Sequence, residues 1–535
     1  MSKLKEKLLA GTEFIITCEL VPGRGHAGKA VEQIIEFGRK LVASTVAIHA
    51  VSITDNPGGN PALSPDVLGR ELMAMGVEPL VHFSCRDFNR NMIESRASAL
   101  ARSGLDNLLV VTGDYPAGGY DGLAKPVFDL DAVQAIRMLK AMNAGLEIPG
   151  RKPGTTDRLP PTDFLLACAV SPFKRHEAEL LPQMYKLEKK IAAGADFVIP
   201  QLGYDVRKFA EILKYLKYRG LSVPVFGNVY AVTKAAGALM NQGLVPGCVV
   251  SDALLAALSA EAEQPDKGKG ARLERAAKMM AIFRGMKFAG VHLGGFGLKF
   301  EDFEQIIRRS REIGENWRDH VREFNYCQPG EFYLFPDDPE MSFAPDKLVP
   351  VATTRKTVLS PNYHLSRAFH RCVFTEGALL YRLGRWKYGL IEKFKPLRKA
   401  AYFFERNIKR VLFDCRECGD CALFDLGYLC PMSRCAKGQR NGPCGGSRDG
   451  QCEVDADKPC VWTLVYQRFS AAGKLDDLRT QYVPAADNAL ERTSGWANFF
   501  LGRDHAAKMK PTPRADEGAS APRADEGASA PPADE

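Results

Sequence analysis

NLLVVTGD (residues 107–114) sets four consecutive apolar side chains between an asparagine and a Thr-Gly-Asp stop. A run this short, rich in leucine and valine and closed by glycine, reads as a strand buried on both faces of a parallel sheet. Three comparable runs precede it: EFIITCEL (13–20), TVAIHAVSITD (45–55) and EPLVHFSC (78–85). Four follow: DFLLACAVS (163–171), DFVIPQL (196–202), VPVFGNVY (223–230) and GVHLGGFG (290–297). Apolar residues at helical spacing fill most of the gaps, at 30–42, 91–101, 130–142, 177–193 and 206–216. Eight such units in series predict a closed (β/α)8 TIM barrel, an α/β fold whose chemistry gathers at the C-terminal strand ends. In order, those ends carry Glu19, Thr54 and Asp55, His82 and Asp87, Asp114, Ser171, Gln201, Asn228 and a glycine turn at 294–297.

The 535 residues, 45% of them hydrophobic, can bury two or three cores. No apolar run approaches the roughly 20 residues of a membrane helix. The opening MSKLKEKLLAG is charged and lacks a cleavage pattern, so no secretory signal and a cytoplasmic location are expected. A net charge of +8 is spread over both signs, and no nucleic-acid partner is expected. Basic residues thicken only at 382–410, where a helical, partly buried connector is favoured over a nucleic-acid surface. A partner protein or an anionic cofactor tail is the third reading of that stretch.

Fourteen cysteines are placed unevenly. Cys18, Cys85 and Cys168 lie in strands and read as small core hydrophobes. Eight others crowd into one short segment: Cys415, Cys418, Cys421, Cys430, Cys435, Cys444, Cys452 and Cys460. In a chain without an export signal such thiolates read as ligands of zinc or of an iron–sulfur cluster rather than as disulfides. The expected organisation is a barrel at 1–315, a proline-rich connector at 316–362, a small α-helical and irregular cysteine-rich metal-binding domain at 363–500, and a disordered tail at 501–535. That tail repeats PRADEGASA and has no large apolar side chain after Met509.

ITCELVP (16–22), VSITDN (51–56), VHFSCRDFNR (81–90), GLDNLLVVTGD (104–114) and AGADFVIPQLGYD (193–205) occur in that order at strand ends. Together they resemble the flavin-dependent methylenetetrahydrofolate reductase family, over about residues 11–303. The resemblance implies an oxidoreductase of one-carbon metabolism and methionine biosynthesis. It would reduce 5,10-methylenetetrahydrofolate to 5-methyltetrahydrofolate with a bound flavin, FAD or alternatively FMN. NAD(P)H or a reduced electron-transfer partner is the implied donor. Glu19 is then the general acid that protonates the folate nitrogen, kept protonated by burial. Asp114 is the catalytic carboxylate beside the flavin, and Thr54, His82 and Gly113 are further flavin contacts. Lys190 is placed near the flavin phosphates. Gln201 takes the folate pterin, or the nicotinamide on the same face.

The cysteine segment resembles the C-terminal domain fused to, or partnered with, such reductases in some anaerobic bacteria, which implies redox subunits as partners and is compatible with an oligomer. Two stretches depart from the family pattern. SPFKRHEAE (171–179) has Ser171 and Arg175 where a tyrosine and a histidine are usual, with His176 one residue late. GGFGLK (294–299) offers no arginine for the folate. The departures motivate an alternative: a partner-dependent electron-relay or scaffold subunit of a larger redox complex.

Overall fold

A computed structural model describes residues 2–152, 154–351 and 359–508. Each of the eight runs contains a strand: β1 (Ile15–Leu20), β2 (Ala50–Ile53), β3 (Pro79–Ser84), β4 (Asn107–Val111), β5 (Leu165–Val170), β6 (Phe197–Pro200), β7 (Phe226–Tyr230) and β8 (Gly290–Gly294). They pair in parallel in the order β6-β5-β4-β3-β2-β1-β8-β7. A parallel bridge from Val198 to Val225, with the Val198 N–H donating to the Pro224 carbonyl at 2.9 Å, closes the remaining seam. The expected helices are present as Lys29–Ala43, Arg90–Arg102, Ala132–Asn143, Glu177–Ala192 and Val206–Tyr218. Between β7 and β8 the chain inserts helices Asp252–Glu261 and Lys269–Gly285.

Strand alternation divides the side chains into two layers. Ile15, Ala50, Leu80, Leu109, Leu165, Phe197 and Phe226 fill the barrel floor, and Leu4 and Leu8 of the helix Lys3–Ala10 stopper it from below. Each of those two leucines contributes roughly 1.5–3 kcal/mol by its burial. Two residues further along the strands, the same inward face turns polar: Thr17 and Glu19, Ser52, His82, Asn228. Cys18, Cys85 and Cys168 are wholly buried between barrel and helices, as small core residues should be. Burial pushes the Cys85 and Cys168 thiols up to about 12 and about 11.

Helices Pro361–Val373, Leu379–Ile391 and Lys395–Phe413 lead into the cysteine segment, followed by Val461–Ala471, Leu475–Thr480 and Gly495–Phe500. This part is docked on the barrel by hydrogen bonds. Asp131 Oδ2 accepts from the Asn441 backbone (3.0 Å) and side chain (2.9 Å), while its Oδ1 caps the helix Ala132–Asn143. Lys186 Nζ donates to Gln439 Oε1 and to the Gly442 and Pro443 carbonyls at 2.8–3.1 Å. The connector is a packed strap rather than a loose link: Leu334 and Phe335 are buried, and Glu211 accepts from the Phe335 N–H at 2.8 Å.

The loop after the helix Ala132–Asn143 carries a hairpin, Glu147–Pro149 with Thr156–Arg158. The basic stretch at 382–410 is helical and partly buried as expected, with Glu405 and Lys409 buried, although Leu379–Ile391 has no buried residue. Residues 501–508 do not begin a disordered tail: Asp504 and His505 are buried, with His505 bonded to Asp420 and, at 2.9 Å, to Asp425. From residue 509 on, the expected tail lies outside the described residues. Among the described residues no helix is long and apolar enough to cross a membrane.

Candidate active site and cysteine centres

Glu19 of β1, His82 of β3 and His292 of β8 converge inside the barrel, their ligand-type atoms all within 4.8 Å of one another. Glu19 Oε2 lies 3.2 Å from His292 Nε2 and 3.8 Å from His82 Nε2. The far nitrogen of His292, Nδ1, sits 2.8 Å from Thr17 Oγ1, whose own proton goes to the Val291 carbonyl at 3.3 Å. His292 Nε2 thus faces the Glu19 carboxyl at hydrogen-bond distance. Ser52 Oγ holds His82 Nε2 at 2.8 Å.

Burial pushes the Glu19 carboxyl up, as expected from its position, but the His292 hydrogen bond and the charges of both histidines outweigh it and the net direction is down. Burial lowers His82 to about 4, so at neutral pH it is uncharged and the pull on Glu19 comes from His292. The expectation of a carboxyl kept protonated by burial alone is thereby corrected. The carboxyl instead pairs with His292, which was not among the expected site residues. The signal was present in GVHLGG: His292 occupies an inward position of β8, in register with Thr17 of β1.

Asp114 follows β4, its Oδ2 accepting from the Gly58 N–H at 3.0 Å. Burial raises its pKa against the pull of Lys437. Burial pushes the Cys248 thiol up to about 12, with the Asp114 and Glu19 charges adding to it. Gln201 flanks the same loop. A Cβ on Gly247 would stand 3.1 Å from its Nε2, and its Oε1 accepts from the Leu202 N–H. Thr54 Oγ1, at the end of β2, and Ser171 Oγ, just past β5, are buried without a hydrogen-bond partner, which is costly unless a ligand supplies one.

Gly113 is required by the fold itself. Its φ is +88°, and a Cβ there would overlap Ser84 Oγ and approach Arg86 Cβ to 2.9 Å. Lys190 does not stand open at the rim. Its ammonium donates to the Ala169 carbonyl at 2.5 Å, and burial lowers it to about 8. A phosphate role would require that bond to break.

The departures in residues 171–179 acquire a reason. Lys174 Nζ donates to the Gly445 and Ser447 carbonyls at 2.5 Å, and Arg175 and His176 both approach Asp449, at 3.2 and 3.7 Å. The loop after β5 is thus a seat for the cysteine segment. From the other side Lys437 reaches back to the Gly113 carbonyl at 2.8 Å and pairs with Glu453.

The eight cysteines divide by position into two sets of four. Cys415, Cys418, Cys421 and Cys430 line one cleft, and Cys435, Cys444, Cys452 and Cys460 line another beside Lys437 and Glu453. All eight are free thiols, so the disulfide alternative is not taken up. Four soft sulfurs converging on one cleft suit a metal centre. Among the described residues no three of these sulfurs lie within 4.8 Å of one another, wider than the roughly 3.8 Å edge of a tetrahedron with 2.3 Å zinc–sulfur bonds.

Residues 3–308 match the family described as Methylenetetrahydrofolate reductase. The chain belongs to that family. Residues 395–489 match a second one, Methylene-tetrahydrofolate reductase C terminal. A probable methylenetetrahydrofolate reductase (NADH) of rice is 25% identical over 253 residues, covering 45% of this chain and 39% of its own length. Methylenetetrahydrofolate reductase 2 of Saccharomyces cerevisiae is 25% identical over 200 residues, covering 35% and 30%. The chain thus spans less than half the length of these curated relatives. A solved Clostridium thermocellum protein that binds two copies of 5-methyl-5,6,7,8-tetrahydrofolic acid aligns at 17% identity with a TM-score of 0.41, over 58% of this chain and 99% of its own.

Proposed function

We propose that this chain is a flavoprotein reducing 5,10-methylenetetrahydrofolate to 5-methyltetrahydrofolate, with Glu19 and His292 together forming the acid. The observation that carries the reading is the close pair of Glu19 Oε2 and His292 Nε2, 3.2 Å apart in a barrel of this family, which is placed to deliver a proton. Passed to a folate nitrogen, that proton opens the five-membered ring to an iminium, and His292 is placed to restore it to Glu19. Gln201, on the opposite strand, holds the pterin. Asp114 supplies negative charge where the folate cation develops.

The unpartnered Thr54 hydroxyl, His82 and Asp114 fit the ring end of a flavin, which would supply the hydride. Lys190, tied to Ala169, gives no support for a bound phosphate tail, so FAD and FMN are separated by extraction. The two cysteine sets are proposed as zinc or iron–sulfur centres. The second set adjoins the barrel rim through Lys437, which supports electron delivery from a reduced partner as well as from NAD(P)H. This placement also gives weight to the partner-dependent reading: a chain inert with nicotinamides yet active with a reduced carrier would be a relay-coupled enzyme.

The test is anaerobic purification followed by flavin, metal and sulfide analysis, then mixing of the reduced protein with methylenetetrahydrofolate. Reoxidation with formation of 5-methyltetrahydrofolate is expected. A colourless protein that takes up no flavin would end the proposal.

A further inference from the structure

Helices Pro361–Val373, Leu379–Ile391 and Lys395–Phe413 are built inside out. Among the described residues, fifteen of the thirty exposed large apolar side chains fall between Leu365 and Phe424. Leu379, Trp386, Phe404 and Val411 are 64–85% exposed. The helix Lys395–Phe413 buries only Glu405 and Lys409, an ion pair, and turns its phenylalanines to solvent. An apolar area this concentrated marks an interaction site. Between the first helix, the third, the start of the cysteine segment and Trp496 runs an apolar groove of about 360 Å³.

Charge restricts the occupant. Residues 361–413 hold twelve Lys and Arg against three Glu, a net +9, while the whole chain carries +8, which leaves the remainder at −1. A second copy therefore brings no opposite field. The chain's own stretch beyond residue 508 is acidic but has no large apolar side chain after Met509 to fill the groove. Position restricts the occupant further, because Lys409, Phe413, Cys421 and Leu423 line both the groove and the cleft of the first four cysteines. Whatever sits in the groove touches that centre.

We infer that this face docks an acidic protein electron carrier of the small iron–sulfur type, with an apolar contact ringed by carboxylates. The inference rests on the proposed function and adds the entry point. Two carrier molecules each give up one electron, and the two electrons with two protons from solvent, one carried in the hydride and one passed through Glu19, account for the two hydrogens the folate gains. An iron–sulfur cluster held by Cys415, Cys418, Cys421 and Cys430 would supply the entry point. Apolar burial holds the complex and the surrounding charges steer it, so affinity falls as salt rises.

The experiment titrates the full chain with a reduced acidic two-iron ferredoxin and measures binding directly. Leu365→Glu with Ile408→Glu, both lining the groove, should weaken binding by at least about tenfold. Arg382→Glu with Arg385→Glu, on the exposed helix and away from any core, should weaken it similarly and flatten its salt dependence. Folate reduction driven by dithionite-reduced methyl viologen should be unchanged in both. Unaltered ferredoxin affinity in both variants overturns the inference. So does tighter binding to phosphatidylglycerol vesicles than to ferredoxin, or a dimer in light scattering that either variant splits. Failure of methyl viologen to drive folate reduction in the wild type would instead sink the proposed function, and the binding result would stand by itself.

Discussion

Thr17 Oγ1 holds one nitrogen of His292 at 2.8 Å, and so turns the other toward Glu19. Replacing Glu19 by Gln should slow the folate half-reaction by about 10²–10⁴-fold and leave flavin reduction largely intact, as stopped-flow measurement of each half-reaction would reveal. His292→Asn removes the partner that holds the Glu19 carboxyl down. With burial then unopposed, the Glu19 pKa rises and the alkaline limb of the folate pH–rate profile moves to higher pH. His82→Asn should leave that limb in place, because His82 is already neutral above about pH 4. A merely structural role for His292 would lower the rate without moving the limb. Glu19, Asp114 and Gln201 were legible because each ends an apolar run. His292 was not, since its meaning comes from a threonine 275 residues away.

The elements were read more easily than their junctions. Eight strands announced themselves by short apolar runs with glycine or polar stops, and five helices by their spacing. The hairpin Glu147–Pro149/Thr156–Arg158 has three-residue strands of mostly exposed side chains, so no alternation signals it. Gly113 was read as room for a cofactor, whereas the junction of β3 and β4 needs it first. Gly113→Ala should lower stability by about 1–3 kcal/mol, from a positive φ and the overlap with Ser84, measurable by denaturant titration even without flavin. The segment carrying His505 is tied down by charge. Burial alone would lower the His505 pKa, but Asp420 and Asp425 raise it to about 9. A raised pKa stabilises fully below the unfolded value of 6.5 and fades as pH rises through about 9. The melting-temperature loss caused by His505→Gln should therefore be largest near pH 6 and nearly vanish by about pH 10.

Across the whole molecule, the barrel and the cysteine segment share one interface, and this was the least legible feature. Asp131, Lys174, Lys186 and Asn441 look like surface residues in the sequence, yet each is buried by a partner far along the chain. Asp131→Ala removes a helix cap and the acceptor of Asn441 at once. A loss of roughly 2–4 kcal/mol is expected, with faster hydrogen exchange at 439–447 than elsewhere. Uniform exchange across the cysteine segment would count against that anchor. The same stitching has a consequence for biosynthesis. The carbonyl acceptors of Lys186 and Lys174 are encoded about 250–270 residues downstream. At ordinary translation speeds a nascent barrel waits roughly 12–55 s with two deep ammonium groups unmet. A ribosome that stalls in that interval presents a half-finished rim to chaperones and proteases, and a frameshift late in the gene damages the catalytic end of a domain whose own codons are intact.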